Sequence, residues 1–353
     1  MKLFSKFSVL LLGAVLLFGF ASCQHETSSA EPTLYSVTVS SSIEHGKVTV
    51  DKTSAEAGAT IKLTVAADEG YKLDSYSVTD SSANAITVTN GTFTMPASNV
   101  TVSAAFKVVT YIGTKAPGVA KEVGDIVFND GSAMPYAAFT ALTDEEKNAK
   151  KTSAIALIFY KGTGLNSGDD TSTSRTLGVG LKHNRSGLAW CTSSANAYSK
   201  DITTIECPAS GSAGAQTFTG DKNGSDNLEQ IEAFEGVDDT STEGNYPAFY
   251  FAKNYSTHAT NLGENYASGW YLPSIAELFQ IYACRADTAN GFDIDAASQA
   301  LGGDKFGTSY YWSSSQSASK GNYAYDLYFQ NGDWSKPNKG SNYDYVCAIR
   351  AFN

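Results

Sequence analysis

Basic residues are in deficit in this chain. Twenty-five Lys and Arg stand against 36 Asp and Glu, for a formal charge of −11. No basic run offsets this, so binding to nucleic acid, which needs phosphates neutralised, has no footing. Histidine is rarer still: the four, His25, His45, His183 and His258, are scattered, and no CxxC occurs. A histidine-rich metal centre and a zinc or redox cysteine motif are therefore not expected. The last 240 or so residues hold only His183 and His258, neither in a recognisable nucleophile motif, which argues against a hydrolase. We expect no enzyme, no metal and no cofactor. Charged residues are few at 17%, yet 42% hydrophobic and 12% aromatic residues suffice for a packed interior and exclude disorder throughout. At 353 residues, two domains are expected rather than one core.

Long apolar runs are lacking except at the N-terminus. Lys2 and Lys6 precede an apolar run of 12 residues, Val9 to Phe20, with the small residues Ala21 and Ser22 before Cys23. Twelve residues span only about 18 Å as a helix, short of a bilayer core of about 30 Å, so a secretion signal over residues 1–22 fits better than a spanning helix. Phe20-Ala21-Ser22-Cys23 resembles a bacterial lipobox. That resemblance implies that Cys23 carries the lipid, residues 23–34 form a polar tether, and the protein sits lipid-anchored and exposed on the outer membrane of the cell. Four cysteines remain, Cys191, Cys207, Cys284 and Cys347, and disulfide pairing and buried thiols both stay open for them.

Residues 35–107 alternate apolar and polar with Thr and Val in excess. Strands are expected at Val37 to Val39, Val48 to Val50, Ile61 to Val65, Ile86 to Val88 and Val100 to Val102. Turn residues at Glu44-His45-Gly46, Ala57-Gly58, Asp68-Glu69-Gly70 and Asn90-Gly91 separate them, so short antiparallel strands are expected. Gly46-Lys47-Val48, Gly70-Tyr71-Lys72-Leu73 and Phe93-Thr94-Met95-Pro96 resemble the small bacterial β-repeat module related to internalin-type B repeats. The resemblance implies a spacer that presents the C-terminal domain.

From residue 108 to 353 helices, strands and polar loops mix, the texture of an α+β domain. Thr143-Asp144-Glu145-Glu146 and Ser274-Ile275-Ala276-Glu277 are capping boxes, in which hydroxyl and carboxylate satisfy backbone donors reciprocally. Ala154 to Tyr160 and Leu177 to Leu181 are expected as buried strands. Leu228, Ile231 and Phe234 mark a helix over Ser225 to Phe234 that closes at Gly236.

Gly124-Asp125-Ile126-Val127-Phe128, Ala189-Trp190-Cys191, Gly269-Trp270-Tyr271-Leu272-Pro273-Ser274, Tyr311-Trp312-Ser313-Ser314-Ser315 and Val346-Cys347-Ala348-Ile349-Arg350 punctuate this domain. They resemble C-type lectin folds of the formylglycine-generating-enzyme type. The likeness extends most to the variable lipoproteins of diversity-generating retroelements carried by treponemes. The resemblance implies a variable region over about residues 310–352, rewritten at template adenines, that displays a changing ligand-binding surface. Its partner would be a protein or carbohydrate on a host or neighbouring cell. An antigenically variable protein without a ligand of its own is the alternative reading, and an oxidase of the formylglycine-generating type is a more distant one, since only Cys347 follows Cys284. Calcium-lectin signatures such as Glu-Pro-Asn and Trp-Asn-Asp do not occur in this domain.

The composition of the segment fits such a surface. Between Ser317 and Tyr345, 16 of 29 residues are Asn, Tyr, Asp or Ser. Tyr supplies rigid amphipathic contacts and the small polar residues supply adaptable hydrogen bonds, as in antibody paratopes. An AAC or AAT codon altered at its adenines never yields Lys, which sets Lys320, Lys336 and Lys339 apart. Strand parity puts Tyr325, Leu327 and Phe329 on a core face and Asp326 and Tyr328 opposite. Trp312 and Trp334 read as scaffold. The displayed set is expected to be Ser317, Ser319, Tyr323, Asp326, Tyr328, Asp333, Ser335, Pro337, Ser341, Tyr343 and Asp344.

Overall fold

The computed structural model describes residues 31–353, apart from 167–169, 235, 237–242, 286–291 and 319. Cys23, the signal and most of the tether lie outside the described residues, as does Ser319. The chain divides into two units, one ending at Val109 and one beginning at Thr110. Among the described residues no helix is long and apolar enough to cross a membrane.

The first unit is all β. One sheet runs Ser54–Glu56, Leu34–Val39, Val100–Val108, Tyr71–Asp80, and a second runs Gly46–Val50, Thr60–Ala67, Thr92–Thr94. Alternation sorts the side chains: Ile61 and Leu63 are buried while Thr60, Lys62 and Thr64 are exposed, and Val37, Val48, Val78, Phe93, Val100 and Val102 complete the core. Asn90 and Gly91 both take positive φ, 52° and 71°, the backbone of a tight hairpin turn. Two expectations fail here. Ile86 to Val88 is not a strand, although Ile86 N–H still donates to the Val78 carbonyl at 2.8 Å. Pairing is also not wholly antiparallel, because Val37 to Val39 lies parallel to Val100 to Val102. The first and last strands of the unit become neighbours only through the long excursion between them, which local patterning does not report.

The second unit is a mixed α+β unit of mostly small sheets. Its largest is an antiparallel five-stranded sheet in the order Ile349–Ala351, Arg175–Gly180, Ala154–Gly162, Asp125–Phe128, Ala133–Pro135. Three of these strands, Asp125–Phe128, Arg175–Gly180 and most of Ala154–Gly162, are buried along their length, because both faces are covered. Ile126, Phe128, Leu157, Phe159, Leu177 and Val179 enter one core, while Val127, Ile155, Ile158, Trp190, Phe249, Trp270 and Trp312 form the other.

Both capping boxes form. Thr143 and Glu146 exchange bonds at the start of helix Asp144–Lys151, and Ser274 and Glu277 do so at Ile275–Ala283. Glu277 is fully buried and is held by Arg175 Nη1 at 3.0 Å and the Tyr271 hydroxyl at 3.0 Å. Its carboxyl is nonetheless pushed up, burial outweighing the pull of Arg175. The helix expected to close at Gly236 is shorter, Asn227–Ala233, with Phe234 as its cap. Ile275, Leu278 and Ile281 pack into the first core beside Tyr325, Leu327 and Phe329. This packing places a three-stranded sheet, in the order Tyr310–Gln316, Ala324–Tyr328, Asp333–Ser335, with one face on the first core, while Trp312 of the opposite face enters the second.

Candidate functional site

Register defines the two faces of this sheet. Tyr310 pairs with Tyr328, Tyr311 with Leu327 and Trp312 with Asp326, while Asp326 pairs with Ser335, Leu327 with Trp334 and Tyr328 with Asp333. Directly paired residues project to the same side. One face therefore carries Tyr311, Leu327 and Trp334, continued by Tyr325. Tyr311, Tyr325 and Leu327 are at most 1% exposed, and Phe329 beyond the strand is fully buried. Trp334 is half-buried and edge-on to Tyr325, with ring centroids 5.5 Å apart, in the scaffold position expected for it. Gly332 shapes the turn before it, with φ at +70°, and a Cβ there would come within 2.3 Å of the Tyr282 ring.

The opposite face carries Tyr310, Trp312, Asp326, Tyr328, Asp333 and Ser335. A fourth segment extends it, since Tyr345 bridges Tyr311 in parallel and thereby sets Asp344 on the side of Tyr310 and Trp312. Of the expected displayed residues, Asp333 and Ser335 are exposed and Tyr343 is 83% exposed. Tyr323, Tyr328, Pro337 and Ser341 are half-buried.

Three expectations are corrected. Ser317, Asp326 and Asp344 are buried, at 0%, 2% and 6% exposure. Parity assigns a side chain to a face but does not say what crosses that face. Asp326 accepts from Ser335 at both N–H, 2.9 Å, and hydroxyl, 2.6 Å. Asp344 lies in a segment paired alongside residues 184–188: Asn184 bridges Val346, and the Leu188 N–H donates to the Asp344 carbonyl at 3.0 Å. Gly187 makes that approach possible, since a Cβ there would lie 2.2 Å from the Asn342 carbonyl oxygen. Ser317 ends a buried polar run from Ser313, and its N–H donates to the Tyr323 carbonyl at 3.1 Å.

Burial gives the face unusual electrostatics. Loss of solvation pushes the Asp344 carboxyl up to about 7, with the Asp326 charge adding to it. Asp326 is pushed up to about 6 by burial, against the hydrogen bonds from Ser335. Tyr310, 42% exposed, stacks on Tyr328 with centroids 4.3 Å apart and planes 12° from parallel. Its phenol is pushed up by burial first and then by the charges of Asp326, Asp333 and Asp344.

Lys339, set apart at the sequence level from the variable positions, is fully buried. Its Nζ donates to the Ala197 carbonyl and to Gln316 Oε1, both at 2.8 Å, and lies 4.5 Å from the Trp190 ring centroid. Burial pushes this amine down to about 8. The four cysteines are buried thiols without a disulfide, so the open choice between pairing and thiols falls to thiols. Burial pushes Cys207 up to about 12 and raises Cys347 as well, and Cys284 donates to the Phe159 carbonyl at 3.3 Å. His183 is pushed down to about 4 by burial, its Nδ1 lying 2.9 Å from the Tyr311 hydroxyl.

Residues 35–110 match the family model of the divergent InlB B-repeat domain, and residues 180–350 match that of the Lcl C-terminal domain. The second match contains the whole three-stranded sheet. No curated protein matches the chain. Among solved structures, a fimbrial protein from Bacteroides ovatus is similar at 10% identity and a TM-score of 0.41, over 90% of this chain and 68% of that one.

Proposed function

We propose that the chain is a surface-displayed, ligand-binding lipoprotein, of adhesin or receptor type, whose C-terminal region is diversified by a retroelement to alter what it binds. Cys23 carries the lipid at the outer membrane, the internalin-like module acts as spacer, and a C-type lectin-like fold presents the variable residues. The ligand is a protein or carbohydrate on another cell.

One observation carries this reading. Within the segment matched to the Lcl C-terminal domain, inward positions hold large apolar side chains, Tyr325, Leu327 and Phe329, while Asp333, Ser335 and Tyr343 sit exposed on short strands and turns. A scaffold accepts many residue types only where they face solvent, since truncating a buried large apolar side chain costs roughly 2 to 5 kcal/mol. A binder is favoured over an enzyme because burial keeps Cys207 and Cys347 protonated and so poor nucleophiles. Sequencing the gene and its flanks across isolates tests the reading. Substitutions should cluster at adenine-templated codons for residues 317–345, beside a near-identical repeat and a reverse-transcriptase gene, with Leu327 and Phe329 constant. Changes scattered along the gene with no repeat nearby would sink it.

A further inference from the structure

The face bearing Asp326, Asp333 and Asp344 holds negative charge that the protein does not balance. Among the described residues no Lys or Arg forms an ion pair with any of the three. Asp344 is 6% exposed and its Oδ2 accepts no hydrogen bond, although the register turns it onto this face. A buried carboxylate without a partner is costly, and a second one beside it adds to the cost. Either a proton or a cation must offset it. On the same face Tyr310, 42% exposed, stacks on the half-buried Tyr328, and Asp333 stands exposed.

Resting on the reading of this segment as a ligand-binding surface, we propose that the face is a subsite for an organic cation. The occupant is the guanidinium or ammonium of an Arg or Lys side chain on a protein partner, seated against Tyr310 and Tyr328 with Asp326, Asp333 and Asp344 balancing its charge. Phenol faces attract such cations through their quadrupole, and a guanidinium gives up its water more readily than a compact ion. A calcium ion would instead ask for six or more oxygens, whereas here aromatic rings form much of the wall. Asp344 is part protonated near neutrality, and an arriving cation displaces that proton.

The test titrates the full chain, its tyrosines labelled with carbon-13, with N-acetyl-arginine amide. The control is N-acetyl-citrulline amide, which has nearly the same shape without the charge. Saturable shifts of the Tyr310 and Tyr328 ring signals with arginine, near a millimolar Kd as suits a fragment, and none with citrulline are expected. Asp344→Asn should weaken binding about tenfold, the scale of one charged hydrogen bond. Tyr310→Ala, at an exposed ring, should abolish it and decides the matter if the Asn variant misfolds. Equal shifts from both probes, no shift from either, or displacement of arginine by calcium chloride alone overturns the proposal. If arginine fails while isolates vary over residues 317–345, only the cation subsite falls. A bound arginine with an invariant segment removes the diversification reading instead.

Discussion

Replacing Asp344 by Asn should stabilise the protein, increasingly so as pH rises from about 4 to about 7. The Asp344 side chain accepts no hydrogen bond at Oδ2, so the nearly isosteric amide removes a charge and little else. Its pKa rises from 3.8 in the open chain to about 7 in the fold. A carboxylate raised in this way binds its proton more tightly when folded. Its favourable contribution is therefore complete below about pH 4 and is lost as pH climbs through about 7. At about 1.4 kcal/mol per pKa unit the full loss would reach about 4 kcal/mol; allowing half for relaxation of the coupled Asp326 leaves about 2 kcal/mol. For a unit of this size that corresponds to roughly 4 to 8 °C in Tm. Thermal unfolding followed by circular dichroism at pH 5 and pH 8 would report it. The difference between variant and parent cancels groups common to both, among them Glu277, His183 and Lys339. A gap of several degrees at pH 8 that shrinks to less than half of that at pH 5 is expected. A gap independent of pH, or a variant weaker at pH 8, would refute the argument that Asp344 is a buried, uncompensated charge.

Leu327→Ala removes a fully buried side chain from the inward face and should cost about 2 to 5 kcal/mol in urea unfolding; a loss below 1 kcal/mol would mean that the sheet is not packed as described. Tyr343→Ala, at 83% exposure, should leave stability within about 0.5 kcal/mol of the parent, checked in the same assay. Lys339→Met strips the donors from the Ala197 carbonyl and Gln316 and should lower stability by about 2 to 3 kcal/mol, with the loss visible as a lower urea midpoint. Cys23→Ala should abolish incorporation of radiolabelled palmitate, and equal labelling of the two proteins would remove the anchor from the proposal.

Features whose chemistry closes within a few residues were legible in the sequence by itself. The capping boxes at Thr143 and Ser274 need only a hydroxyl and a carboxylate three positions apart, and both form. Strand parity over Tyr325 to Phe329 identified the core face, because the period of two is local. Alternation and turn residues likewise announced an all-β first unit and a mixed second one. What lay beyond was decided by segments distant in the chain. Residues 184–188 pair with the backbone around Asp344, more than 150 positions later, and Asp344 and Asp326 are both buried although parity turns them outward. Separation along the chain likewise hid the parallel pairing of Val37 with Val100 and the stacking of Tyr310 on Tyr328. A periodic pattern records which way a side chain points. Whether water still reaches it depends on contacts made after chain segments far apart have come together, and there the tertiary structure alone turned a surface carboxylate into a buried, unbalanced charge.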